Sequence, residues 1–353
     1  MNHSSLQQSP GPEATAGDQR PILLIPYMWI GDFVRCHTVV RLLKQQYPDR
    51  PVDILTTTND APLVDYMPGV RKGIVVDLPR KRLPLGQHRA LAERLRAENY
   101  VQSLVMPRTW KAALAPFLAG IPVRTGFAGE ARFGLLNDVR WGEKKLPRMV
   151  DRCAALALPK GTPLPDPLPL PELRVFPLDI ATWRRQQNLE DHGQPVVVLA
   201  PGAVGPSKRW PSASYAELAR DLAAKGCAVW VVGGPGEKAI AAEIVQTAPT
   251  ARDLTGTDLR NAILALAAAR AAVSNDSGLL HVAAALGTPA IGIFGPTSPW
   301  HWAPLNPIAA VIQAPTDIPC RPCHKPVCRL EHHRCMREIS LDSVLTATRA
   351  AMA

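Results

Sequence analysis

The chain contains no apolar run approaching the roughly 18 residues that cross a bilayer, and residues 1–20 hold no apolar stretch of the kind found in secretory signals. Neither a membrane-spanning nor an exported protein is expected, and the reading is cytoplasmic. Those first twenty residues, with Ser4, Ser5, Pro10, Gly11, Pro12 and Gly17, read as a disordered leader. Aromatic side chains are scarce at 5%, and no nucleic-acid recognition motif is present, which weighs against a nucleic-acid-binding protein. The G-x-G-x-x-G fingerprint of dinucleotide-binding enzymes is missing from the first strand-to-helix turn. Near the C-terminus Cys320, Cys323, Cys328 and Cys335 fall within sixteen residues beside His324, His332 and His333, but the closing pair lacks C-x-x-C spacing. Disulfides are not expected in a cytoplasmic chain, which leaves a structural zinc or merely clustered thiols.

What is present is length, apolar content and lopsided charge. At 353 residues and 46% hydrophobic, with about 150 residues per domain as a guide, two globular domains are expected. The net charge is +10, and residues 1–175 carry 24 Lys+Arg against 16 Asp+Glu, or +8, leaving +2 for the rest. A basic first half points to an anionic partner or membrane face, or is simply a soluble basic surface. Seven prolines between Pro159 and Pro177 mark a linker, since they cannot continue a helix or a central strand. The expected layout is a leader over 1–20, a first domain over 21–158, a linker over 159–180, a second domain over 181–339 and a terminal helix over 340–353.

The most informative stretch runs from Val273 to Pro289. Ala271 to Ser274 look like the end of a buried strand, Asp276 or Ser277 is a natural helix cap, Leu279 to Leu286 have helical spacing, and Gly287 with Pro289 stops the helix. A strand from Ala290 to Gly295 completes a βα unit of a parallel sheet. The first N–H groups of such a helix have no partner within it, so Ser277, Gly278 and Leu279 can face a phosphate, with Gly278 allowing close approach. An ordinary capped helix with His281 on a half-buried face is the plainer alternative.

Other turns repeat the arrangement. The run Pro21 to Pro26, the turn Ile30-Gly31-Asp32 and the helical spacing from Phe33 to Tyr47 place Asp32 at the carboxyl end of the first strand, where open parallel sheets bind ligands, unless it is only a helix cap. Pro201 to Pro211 holds Lys208 and Arg209 on a glycine-containing loop, as diphosphate sites do, though both also suit a surface. Gly233 to Glu237 and Asp253 to Gly256 are further strand-to-helix turns. Gly129 to Arg140, with Glu130, Arg132, Asn137 and Asp138, reads as a polar loop too charged for core.

With these residues in view, the chain resembles the lipopolysaccharide heptosyltransferases of glycosyltransferase family 9, nearest the heptosyltransferase II group. The resemblance rests on Gly31-Asp32, Gly120 to Gly126, Gly134 to Arg140, Pro201-Gly-Ala with Lys208 to Pro211, and Asn275 to His281 running on to Pro296. It implies an α/β GT-B fold, two Rossmann-like domains facing across a cleft, with the acceptor on the first and ADP-heptose on the second. It also implies an inverting transfer of L-glycero-D-manno-heptose to the heptosyl-Kdo–lipid A core, without a metal or other cofactor; no D-x-D motif occurs. Asp32 matches the family's base and Lys208 the cation that meets the departing ADP. Donor contacts fall on Lys208, Glu237, Thr255, Gly256, Asp276, Ser277, Gly278, Leu279 and His281, with Asp276 ordering its turn. Arg108, Lys111, Arg124 and Arg132 are the cations expected near the acceptor phosphates, on an enzyme that is cytoplasmic and peripheral at the inner membrane face. Pro26 to Trp29 departs from the family's glycine or small polar residues, and Ser277 replaces a common Thr but keeps the hydroxyl. A sugar-nucleotide epimerase of the same fold is the alternative, with a nucleic-acid-binding protein behind it.

Overall fold

A computed structural model describes residues 18–79, 82–189, 192–256, 258–315 and 317–353. Most of the expected leader, residues 1–17, lies outside the described residues, as do Arg80 and Lys81. The end of that leader is tied down: Asp18 pairs with Arg20 at 2.8 Å, and Arg50 Nε donates to the Asp18 carbonyl at 2.8 Å.

In chain order the elements are β1 (Ile22–Ile25), α1 (Ile30–Arg35), α2 (His37–Gln46), β2 (Val52–Thr56), α3 (Ala61–Val64), β3 (Lys72–Val75), α4 (Leu85–Ala97), β4 (Gln102–Val105), α5 (Trp110–Leu118), β5 (Val123–Phe127), β6 (Asp138–Arg140) and α6 (Met149–Ala157). There follow α7 (Pro177–Gln186), β7 (Val196–Ala200), α8 (Ser212–Ala223), β8 (Ala228–Val231), α9 (Lys238–Thr247), β9 (Arg252–Asp253), α10 (Leu259–Ala267), β10 (Ala271–Asn275), α11 (Gly278–Ala285), β11 (Ala290–Ile293), α12 (Pro299–Trp302), β12 (Ala309–Ile312), α13 (Arg334–Arg337) and α14 (Leu341–Met352).

Two sheets result, each six-stranded and parallel, ordered β3-β2-β1-β4-β5-β6 and β12-β11-β10-β7-β8-β9. Counted from its own first strand, each has the doubly wound order 3-2-1-4-5-6, so each reverses direction beside its first strand, where such sheets bind ligands. The inner strands β1, β7, β10 and β11 are buried along their whole length, as parallel strands covered on both faces must be. That burial explains why they read as continuous apolar runs rather than alternating ones.

The chain forms two compact units: residues up to Tyr27 with Thr38–Thr58 and Gly69–Pro169, and Met28–His37 with Asn59–Pro68 and Leu170–Ala353. The helix carrying Asp32, early in the sequence, thus belongs with the later half. In the second unit Val197, Leu199, Val273 and Ile293 pack on Trp210, Tyr215, Leu218 and Leu222.

Three expectations change. The single helix from Phe33 to Tyr47 is two, α1 and α2, meeting at Cys36. The extended residue before α1 is Trp29, so Asp32 is neither a turn residue nor a cap but stands in the first helical turn. The segment 129–140 is not merely a loop: it supplies β6 at the sheet edge and buries Leu136 and Arg132.

Candidate active site

Within the second unit, α1 packs against α11 through glycine. A methyl on Gly31 would lie 2.7 Å from Cδ2 of His281, and one on Gly278 would lie 2.6 Å from Cβ of Ile30 and 3.2 Å from the Gly31 nitrogen. Only residues without a Cβ allow that approach. The Gly31-Asp32 and Asp276-Ser-Gly278 motifs, nearly 250 residues apart in sequence, therefore meet in one place.

Lys208 is brought there by its loop. Asn275 is fully buried at the end of β10; its Nδ2 donates to the Pro201 carbonyl at 2.7 Å and its Oδ1 accepts from the Trp210 backbone N–H at 3.1 Å. Trp210 is anchored below, its indole N–H donating to the Ile339 carbonyl at 3.1 Å and its ring edge-on to Tyr215. With the loop fixed at both ends, Lys208 Nζ donates to Asp276 Oδ2 at 2.7 Å, and Thr297 Oγ1 donates to the same oxygen at 2.7 Å. Asp276 thus aims the ammonium rather than facing an anion. Ser277 is the N-cap of α11 in extended backbone, and its hydroxyl lies 3.0 Å from that of Ser274.

Asp32 completes the cluster. Burial raises its pKa above the ordinary aspartate value of 3.8, opposed by Arg35 and Lys208 and reinforced by Asp276. Arg35 Nη2 donates to Asp32 Oδ1 at 2.5 Å. His281 is buried, and burial together with Arg35 and Lys208 holds its pKa well below 6.5, so it is neutral near pH 7. The Asp32 carboxyl group, the Lys208 ammonium and the N-terminus of α11 form one small polar site.

The other expected donor residues border the same sheet edge. Glu237 accepts from the Gly234 N–H at 2.9 Å and lies over Gly202 and Gly233, where any Cβ would strike its side chain. Thr255 is buried, with its N–H and hydroxyl both on Asp253 Oδ1, while Gly256 is exposed at positive φ and donates to the Gly233 carbonyl.

In the first unit the four expected acceptor cations divide. Arg108 is exposed and pairs with Glu143 at 2.9 Å, and half-buried Lys111 donates to the Arg82 carbonyl at 3.4 Å. Arg124 and Arg132 differ from the expectation of phosphate-facing cations. Arg124 donates to the Leu135 and Ile121 carbonyls at 2.7 and 2.6 Å. Arg132, 2% exposed, donates to the carbonyls of Phe127, Pro107, Thr109 and Val105. Both guanidiniums tie loops together through backbone oxygens.

The cysteine-rich segment has a mechanical place. Ser207 donates from its backbone to the Pro326 carbonyl at 3.2 Å and from its hydroxyl to the Lys325 carbonyl at 2.5 Å, so residues 325 and 326 brace the turn that presents Lys208. Cys320 Sγ lies 3.9 Å from His332 Nε2, and no set of three or more His, Cys, Asp or Glu is arranged to hold a metal among the described residues.

Sequence reading passed over Arg35, Thr297 and the tethering by Asn275 and Trp210. The three-residue spacing of Asp32 and Arg35 on a helix was an available signal for the first; Thr297 carries none, because only folding sets it beside Asp276.

Two doubly wound sheets with glycine turns at the strand carboxyl ends are the GT-B architecture of nucleotide-sugar transferases. Residues 88–334 match the model of glycosyltransferase family 9 (heptosyltransferase), and the chain belongs to that family. It is 40% identical over 305 residues to lipopolysaccharide heptosyltransferase 2 of Escherichia coli K12, covering 83% of this chain and 87% of that protein. It is 38% identical over 306 residues to lipooligosaccharide heptosyltransferase 2 of Haemophilus influenzae, with coverage of 83% and 88%. Among solved structures, E. coli ADP-heptose lps heptosyltransferase II superposes with a TM-score of 0.83 at 36% identity, over 94% of this chain and 98% of that one.

Proposed function

We propose that the protein transfers L-glycero-D-manno-heptose from ADP-heptose to the heptosyl-Kdo–lipid A core of lipopolysaccharide, with inversion at the anomeric carbon. The observation that carries this reading is the convergence of Asp32, Lys208 and the α11 N-terminus in one site, in a chain of the heptosyltransferase family. An acceptor hydroxyl oxygen attacks the anomeric carbon as the bond from that carbon to the diphosphate oxygen breaks, and ADP leaves with the electron pair. Asp32 takes the hydroxyl proton, a step typically worth about a hundredfold to ten-thousandfold. Lys208 and the N–H groups of Ser277, Gly278 and Leu279 take up the negative charge growing on ADP. Glu237 and the Thr255-Gly256 turn are assigned to the nucleoside, and His281 to packing behind the donor.

Arg108 and Lys111 are the cations assigned to the phosphorylated acceptor. No helix among the described residues is long and apolar enough to cross a membrane; attachment to the cytoplasmic membrane surface through the basic first half is part of the proposal. The test is product analysis after mixing the protein with ADP-heptose and monoheptosylated Kdo–lipid A. A diheptosylated lipid with free ADP is the expected result. Conversion of ADP-heptose alone to an isomer would establish the epimerase instead.

A further inference from the structure

Arg35 occupies a costly position. Its side chain is 4% exposed, its guanidinium lies 5.0 Å from the Trp302 ring centroid, and Nη1 has only a long 3.4 Å contact to the His301 carbonyl. Nε is buried and has no hydrogen-bond partner among the described residues. A buried cation with an unused donor destabilises a fold relative to an apolar side chain of similar volume, so packing gives no reason for an arginine here. The short contact it makes is the 2.5 Å bond to Asp32 Oδ1, one helical turn back on α1. Asp32 Oδ2 accepts no hydrogen bond among the described residues.

We propose that Arg35 is a positioning residue for the transfer reaction: by gripping Oδ1 it sets the Asp32 carboxylate in one orientation and leaves Oδ2 as the atom that receives the acceptor's proton. This rests on the assignment of Asp32 as the base. The arrangement answers a conflict in the site. A base buried enough to be strong is also discouraged from ionising, and the groups acting on Asp32 from neighbouring elements pull in different directions: Lys208 from the loop after β7 favours the anion, Asp276 from the β10–α11 turn opposes it, and His281 on α11 is neutral. Arg35, on the same helix as Asp32, is the leading influence that favours the charged form. Held at one oxygen only, the carboxylate has a cation beside it that opposes the effect of burial, and it keeps a lone pair on the other oxygen.

The experiment compares kcat against pH at saturating substrates for wild type, Arg35→Gln, Arg35→Lys and Asp32→Asn, with ADP binding and thermal unfolding as checks of the fold. Removing a charge at this range is expected to move the acid limb of Arg35→Gln up by about one pH unit or more. Its kcat should fall about tenfold to a hundredfold as the base loses its orientation, with the KM for ADP-heptose little changed. Arg35→Lys keeps the charge but not the planar fork, so its acid limb should stay near that of wild type while kcat still drops. An unmoved acid limb in folded Arg35→Gln, or wild-type kcat in Arg35→Lys, would overturn the proposal. An active Asp32→Asn would remove the base assignment itself, and the Arg35 role with it; an inactive Asp32→Asn beside an unshifted Arg35→Gln would remove only the latter.

Discussion

Gly31 and Gly278 touch backbone to backbone, and no side chain fits between them: the Gly31 nitrogen stands 3.2 Å from where a Gly278 Cβ would be. This contact joins the motif bearing Asp32 to the turn bearing Asp276, so the site depends on two absent methyl groups. Gly278→Ala is expected to lower stability by about 1–3 kcal/mol through overpacking and to cost transfer activity out of proportion to the folded fraction. Thermal unfolding with parallel rate measurements checks it, and a variant with wild-type stability and turnover would show that α1 can yield.

Asp32→Ala should abolish transfer while ADP affinity stays close to wild type, as expected of a group that meets the acceptor hydroxyl. For a base at Asp32 the working form is the anion, so the rate is expected to fall as pH drops through the Asp32 pKa. Because burial raises that pKa, the fall should come at higher pH than for an ordinary aspartate of pKa 3.8. A rate flat down to pH 4 in a folded protein would exclude it.

Lys208→Ala should weaken ADP binding, since a charge-assisted hydrogen bond to a diphosphate is worth about 1.5–3 kcal/mol. It also leaves Asp276, 6% exposed, with Thr297 as its remaining side-chain donor. Asp276→Asn separates the effects: if aiming Lys208 is the carboxylate's task, this variant too should bind ADP more weakly. Calorimetric titration measures both, and undiminished affinity in Lys208→Ala would make Lys208 a surface charge.

The four first-unit cations should not behave alike. Neutralising Arg108 and Lys111 together is expected to raise the acceptor KM, leave the ADP-heptose KM alone, and lose its effect as salt shortens the Debye length below about 10 Å. Arg132→Met should instead lower the melting temperature, because the carbonyls of Phe127 and Thr109 lose a donor in a buried place. A selective acceptor defect in a fully stable Arg132→Met would reverse that division.

His281 predicts a stability effect with a definite sign. Its folded pKa lies well below 6.5 while the unfolded chain keeps the ordinary value, so below pH 6.5 the unfolded state binds a proton that the folded state refuses. Stability should therefore decline as pH falls from about 6.5, and His281→Gln should flatten that part of the profile. Melting temperatures between pH 7 and 5 give the comparison, with an unchanged slope counting against the buried neutral imidazole.

Much of this architecture was readable from composition and local pattern. The inner strands declared themselves because burial on both faces demands uninterrupted apolar residues, and the turns after them because each needs small residues where neighbouring side chains or backbone come close. The Val273 to Pro289 stretch was bounded to within a residue at most ends for that reason: strand, cap, helix and stop are each set by neighbours in sequence.

What local pattern could not carry is where long side chains end. Nothing around Arg132 distinguishes it from Arg108, since one is buried by carbonyls arriving from separate segments and the other stays in water. The start of α1 was misplaced because Trp29 and Ile30 lack any capping signal, and the break at Cys36 leaves no mark in the apolar spacing. The sequence by itself determined the parallel βα units and the glycine turns that follow their strands, because these follow from residue type at short range. Only the tertiary structure decided that α1 lies against α11, that Arg35 reaches Asp32, and that Arg132 is buried among backbone carbonyls, because those outcomes depend on how separate segments pack and where long side chains end.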